Sequence, residues 1–235
     1  MLQENLIRMY EESFRTHREL PALTDYFKGE TFSYYEMAKE IAKLHLFFKK
    51  AEIRRGDKIA LVGRNNPRWC ITYLATITYG AVIVPILQDF APADIVHIVN
   101  HSESRLLFVG DNYWDIIEED EIARIDAVLS LTDFHVIYER RGKSLGVYMR
   151  DMVKNYRAKY KRGFSADDIK YPDIPNDQMV LLNYTSGTTG YSKGVMLTVN
   201  NLTGNVLVAK NAQTNFQCYV CVGVAAMLIY QTVVN

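Results

Sequence analysis

Tyr184-Thr185-Ser186-Gly187-Thr188-Thr189-Gly190-Tyr191-Ser192-Lys193-Gly194 follows directly on the apolar stretch Met179–Asn183. Within Thr185–Gly194 stand five Ser or Thr hydroxyls, three glycines and one lysine. Glycines allow positive φ and close approach of the backbone to a ligand, and hydroxyls with free N–H groups are donors for phosphate oxygens. Lys193 adds a movable positive charge. The run reads as a cradle for the phosphates of a nucleoside triphosphate. A plain Gly/Ser/Thr-rich surface turn is the ordinary alternative, and eleven consecutive residues of this kind argue against it.

The order of residues separates this run from two better-known loops. A P-loop needs glycine immediately before the lysine and a helix after it. Here Ser192 precedes Lys193, and Val195-Met196-Leu197-Thr198 continues as a short strand. The G-x-G-x-x-G pattern fails too, because Gly187 and Gly190 have no glycine two positions earlier.

Outward from the loop, strands and helices alternate. Lys58–Val62, Ala81–Ile86, Arg105–Val109, Ala127–Leu131 and His135–Tyr138 read as strands, Ala81–Ile86 apolar on both faces as in a buried parallel strand. Leu6, Met9, Tyr10 and Phe14 mark a first amphipathic helix, and Gly29 turns a hairpin around Tyr26–Phe32. Ser33 with Glu36 forms a capping box for a helix carrying Met37, Ile41, Leu44 and Phe48. Asn66 and Pro67 open a helix to Tyr79, and further helices are expected at Pro92–Ser102, Tyr113–Ile122 and Asn200–Lys210. This order predicts an α/β fold with a mostly parallel sheet flanked by helices. Tyr171–Asp177 is a proline-spaced connector. It divides the chain into an N-terminal α/β part (1–170), a connector with the phosphate-loop strand and helix (171–210) and an uncharged tail (211–235).

The loop resembles that of the adenylate-forming (AMP-binding) enzymes, and its closest flavour is the long-chain fatty acid–CoA ligases. It matches their pattern except at Ser192, where proline is usual; the lost φ restraint implies a looser loop. Two further patches are similar to the family: Ala60–Trp69 with Gly80–Pro85, and Ile98–Val109. The resemblance covers residues 2 to about 210 and implies the three-layer N-terminal portion of such an enzyme, its C-terminal domain absent. It implies ATP-dependent activation of a fatty acid to an acyl-adenylate, then transfer to coenzyme A, with ATP and Mg²⁺ as cofactors. Thr185, Ser186, Gly187, Thr188, Thr189, Gly190 and Lys193 would hold the β- and γ-phosphates, Lys193 as the catalytic charge on the departing pyrophosphate. Val199 stands where the family often has histidine. The segments that complete the magnesium, ribose and coenzyme A sites have no counterpart here, and the uncharged tail fits a truncated gene or a shifted frame, with a divergent buried segment as the alternative. The chain is then expected to be inactive alone. Other readings are a non-catalytic remnant that binds nucleotide weakly and a P-loop kinase or ATPase, against which the order of glycine and lysine argues.

Composition narrows the rest. At 235 residues, 49% apolar and 23% charged, the chain is of globular type, and 27 basic against 27 acidic residues give no field for nucleic acid. Three cysteines make no disulfide framework, so a reducing cytoplasm is expected. Cys218-x-x-Cys221 and the His97/His101 pair are too sparse for a metal site, and no metal ligand is assigned. Arg140–Arg162 holds nine Lys or Arg against Asp151 alone, with Met149, Met152, Val153, Tyr156 and Tyr160 on one helical face. The ordinary reading packs that face on the domain; the alternative is peripheral contact with the inner membrane face.

Overall fold

The computed structural model describes residues 3–26, 28–110, 113–117, 119–122, 124–185 and 193–211. The chain begins with α1 (Leu6–Thr16), capped by the Asn5 side chain, then a hairpin of β1 (Pro21–Asp25) and β2 (Glu30–Ser33). Gly29 supplies the turn's positive φ of 68°. Ser33 and Glu36 close the expected capping box on α2 (Tyr34–Lys50), whose Met37, Ile41, Leu44 and Phe48 are buried. There follow β3 (Lys58–Val62), α3 (Pro67–Tyr79), β4 (Val82–Ile86), α4 (Pro92–His101) and β5 (Leu106–Val109). After β6 (Ala127–Ser130) and β7 (Val136–Glu139) come α5 (Leu145–Arg150), α6 (Met152–Lys159), β8 (Met179–Thr185), β9 (Lys193–Thr198) and α7 (Val199–Lys210).

Seven strands form one sheet in the order β7-β6-β5-β3-β4-β8-β9. β6, β5, β3, β4 and β8 run parallel, while β7 and β9 are antiparallel edges. Successive residues of the central strands enter two cores. Ile59, Leu61, Ile83 and Phe108 pack with α1, α2 and α3; Ala60, Val62, Val84 and Val109 pack with α4. Both faces are covered, which is why these strands are continuously apolar.

Two sequence expectations are corrected. A helix over Tyr113–Ile122 is replaced, among the described residues, by 3₁₀ turns at Trp114–Ile116 and Glu119–Glu121. Ile117 is extended (φ −112°, ψ 124°), and four successive acids at Glu118–Glu121 would oppose the negative end of a helix. The basic stretch forms two short helices, α5 and α6, that meet at Asp151 (φ −84°, ψ 11°). Met152 is buried, and Met149, Tyr156 and Tyr160 pack against the core. The apolar side that a lipid-facing helix would need is thus turned largely onto the domain, and peripheral membrane contact has no support. Among the described residues no helix is long and apolar enough to cross a membrane.

The connector is tied to the N-terminus. Asn5 Nδ2 donates to Ile174 O (2.8 Å) and Asn176 Oδ1 (2.7 Å), and Tyr171 N donates to Glu11 Oε2 (2.8 Å). Leu6 N donates to the buried Thr203 hydroxyl of α7 (3.0 Å), so α1 joins the connector and the helix after the loop.

Candidate functional site: the carboxyl edge of the parallel sheet

The connections from β3 and β4 leave toward opposite faces, since α3 belongs to one core and α4 to the other. Such a reversal opens a crevice beyond the carboxyl ends of the two strands, where α/β sheets bind ligands. A cleft of about 230 Å³ lies there, lined by Gly63, Arg64, Asn65, Trp69, Pro85 and Gln88. A second, about 290 Å³, is lined by Lys28, Arg64, Arg68, Gly110, Tyr113 and Thr132 at the ends of β3, β5 and β6. Gly63 is required where these ends converge. Its φ is 152°, and a Cβ would stand 2.9 Å from Leu131 Cδ1 and 3.1 Å from Gly110 N.

β8, the strand that leads into the glycine- and hydroxyl-rich stretch, lies beside β4, with Leu181 opposite Ile83, and ends at this same edge. Val180 and Leu181 are fully buried, which fixes β8 in the sheet. The chain leaves at Thr185 and returns at Lys193, the two residues being directly paired across β8 and β9. The pairing sets the two ends of the intervening stretch side by side at the sheet's carboxyl edge. Thr185 and Lys193 are brought together as its two posts, and Lys193 is exposed. Ser186, Gly187, Thr188, Thr189 and Gly190 lie outside the described residues.

Below the Thr185–Lys193 pair the hairpin is clamped. Tyr184 pairs with Gly194, where a Cβ would come 3.1 Å from Leu182 Cδ1 and 3.4 Å from Tyr184 Cζ. The absent side chain makes room for the tyrosine ring. Tyr184 OH and His101 Nδ1 share a hydrogen bond of 2.7 Å, tying the last residue of α4 to the strand that carries the loop. Burial pushes the Tyr184 phenol up, so it stays protonated at neutral pH. The sequence reading gave His101 only a surface or packing role and did not single out Arg64 as lining a cleft. Spacing along one helix cannot report a partner 83 positions away.

Among the described residues no group of three His, Cys, Asp or Glu could hold a metal ion. Val199 is fully buried in the core, so the position where the family often has histidine is apolar packing here. Thr198 caps α7 through Asn201 N (3.4 Å). Cys218 and Cys221 lie outside the described residues.

The profile of the family described as AMP-binding enzyme matches residues 10–230, passing the point near 210 where the resemblance read from residues ended. Among curated relatives, 4-hydroxybutyrate–CoA ligase 2 of Metallosphaera sedula is 32% identical over 152 residues, covering 62% of this chain and 26% of the relative. Long-chain-fatty-acid–CoA ligase 6 of Rattus norvegicus is 29% identical over 177 residues, 72% of this chain and 25% of its own length. A long-chain-fatty-acid–CoA ligase of Escherichia coli is 22% identical over 223 residues, 86% and 38%. The chain thus spans about a quarter to two fifths of these relatives' lengths. Solved structures share the fold. The anthranilate CoA ligase AuaEII in complex with anthranoyl-AMP gives a TM-score of 0.69 at 16% identity, covering 90% of this chain and 38% of that one. The ATP-bound MatB of Rhodopseudomonas palustris gives 0.62 at 22% identity, covering 87% and 36%. With the profile matched along most of its length, this chain belongs to the AMP-binding enzyme family.

Proposed function

We propose that this chain supplies the phosphate loop and the N-terminal sheet for ATP-dependent activation of a fatty acid, the acyl group passing to coenzyme A. In the first step a carboxylate oxygen attacks the α-phosphorus of ATP, the bond to the β-phosphate oxygen breaks, and pyrophosphate leaves. In the second a thiol attacks the acyl carbon and AMP departs. A carboxylate needs this treatment because its charge is delocalised and oxide is a poor leaving group.

The observation that carries the proposal is the direct pairing of Thr185 with Lys193 at the carboxyl edge of the sheet. Donors carried there would meet the charge that builds on the phosphates as pyrophosphate separates. Thr185, Ser186, Gly187, Thr188, Thr189 and Gly190 are assigned to the β- and γ-phosphates, and Lys193 to the departing pyrophosphate. Magnesium would neutralise the triphosphate; among the described residues no cluster of His, Cys, Asp or Glu could hold it. Coenzyme A likewise has no assigned residue.

The chain spans about a quarter to two fifths of the lengths of these relatives, and a second reading is a nucleotide-binding module without turnover. Pyrophosphate release with ATP, Mg²⁺ and palmitate separates the two. Palmitate-dependent release from this chain alone supports the enzyme and overturns the module; ATP binding without release does the reverse.

A further inference from the structure

The β7 edge of the sheet carries a cavity that the phosphate loop does not use. At about 430 Å³ it is larger than either cleft at the carboxyl edge, and its size is that of a small-molecule site. It lies between α2, the β6–β7 turn and α5–α6. β7 is five strands from β8, about 24 Å at the usual strand spacing.

The lining divides by chemistry. Leu44, Phe134, Val136, Met149, Met152 and Val153 give it an apolar wall. The ionisable residues at its rim are Glu40, Lys43, Asp133, His135 and Arg150. Both acids are already engaged: Glu40 Oε1 accepts from Lys43 Nζ at 2.6 Å, and Asp133 Oδ1 lies 2.5 Å from His135 Nδ1. Arg150 makes no ion pair among the described residues. Its Nη1 stands 3.7 Å from where a Gly146 Cβ would be, with Val136 Cβ at 3.8 Å and the carboxyl carbon of Glu139, whose Oε2 already accepts from Gly146 N, at 3.9 Å from the same point.

An apolar wall with one unmatched guanidinium selects a ligand with one negative end. The planar fork of arginine fits a carboxylate through two parallel N–H donors, and the wall removes an attached hydrocarbon from water. A second negative charge would meet Glu40 and Asp133. We propose that this cavity binds a small amphipathic monocarboxylate, its apolar chain among Leu44, Phe134, Met149 and Val153 and its carboxylate on Arg150. The site is separate from the phosphate loop and does not depend on the activity assigned to that loop.

The test is calorimetric titration of the intact chain with decanoate, with decylamine and decanol as probes of the same chain length. Saturable one-site binding of decanoate is expected, with neither decylamine nor decanol binding as tightly. Arg150→Gln should weaken decanoate at least tenfold. Val153→Trp should abolish binding, because Val153 is 57% exposed and a larger ring there fills the mouth without entering the core. Lys193→Ala should leave decanoate binding unchanged. The proposal is overturned by absence of saturable binding, by equal affinity in Arg150→Gln, by equal affinity for decylamine or decanol, or by loss of binding in Lys193→Ala, which would put the ligand at the phosphate loop.

Discussion

Tyr184 shows what one residue does for the site. Its ring occupies the space Gly194 leaves, and its hydroxyl reaches His101 at the end of α4. Tyr184→Phe keeps the ring and removes the hydrogen bond, and should lower unfolding free energy by about 1 kcal/mol in urea titration. Unchanged stability would mean the bond contributes nothing to the clamp. The order of glycine, hydroxyl and lysine made the family legible, and the profile match shows it. His101 was not, because its role comes from α4 and β8 being packed together. The same holds for Arg64, which lines both clefts only because β3, β4 and β5 end side by side.

Elements were legible where local chemistry decides them. Asn66 Oδ1 accepts from Trp69 N (2.9 Å) and Pro67 opens α3, while Gly80 closes it with φ 88°, as the sequence signals require. Ser33 with Glu36 is equally local, and Ser33→Ala should cost about 1 kcal/mol of stability, read as a fall in melting temperature with an unchanged circular dichroism spectrum. The reading failed over Tyr113–Ile122, where the alternation of strands and helices led to a helix that four adjacent negative charges at Glu118–Glu121 oppose. It also joined α5 to α6, since hydrophobic spacing carries no sign of the change of direction at Asp151. Strand order was not legible either. Alternating strands and helices predict a parallel sheet, but placing β3 between β5 and β4 follows from long-range packing.

At the scale of the whole molecule, partial burial makes His45 pH-sensitive, and β9 leaves an exposed edge. His45 Nε2 donates to Ala75 O (3.0 Å), and burial pushes its pKa down from 6.5 to about 4. The unfolded chain therefore binds the proton first as pH falls. Stability is lost between about 6.5 and about 4, by no more than about 3 kcal/mol. His45→Gln should flatten that part of the stability–pH curve, and a curve identical to the original would refute the assignment. The exposed edge is β9, where Val195 is 46% and Met196 69% exposed and no described residue pairs with the outer side. Open apolar edges recruit other chains. Met196→Lys should shift sedimentation toward monomer, whereas an unchanged distribution would place self-association elsewhere. Beneath both lies the claim that the β8–β9 mouth holds the phosphates of ATP. Equilibrium titration of ATP against the intact chain and Lys193→Ala tests it most directly. Saturable binding that falls at least tenfold in Lys193→Ala, with adenosine binding unchanged, is the predicted result; equal ATP affinity in the two proteins would contradict it.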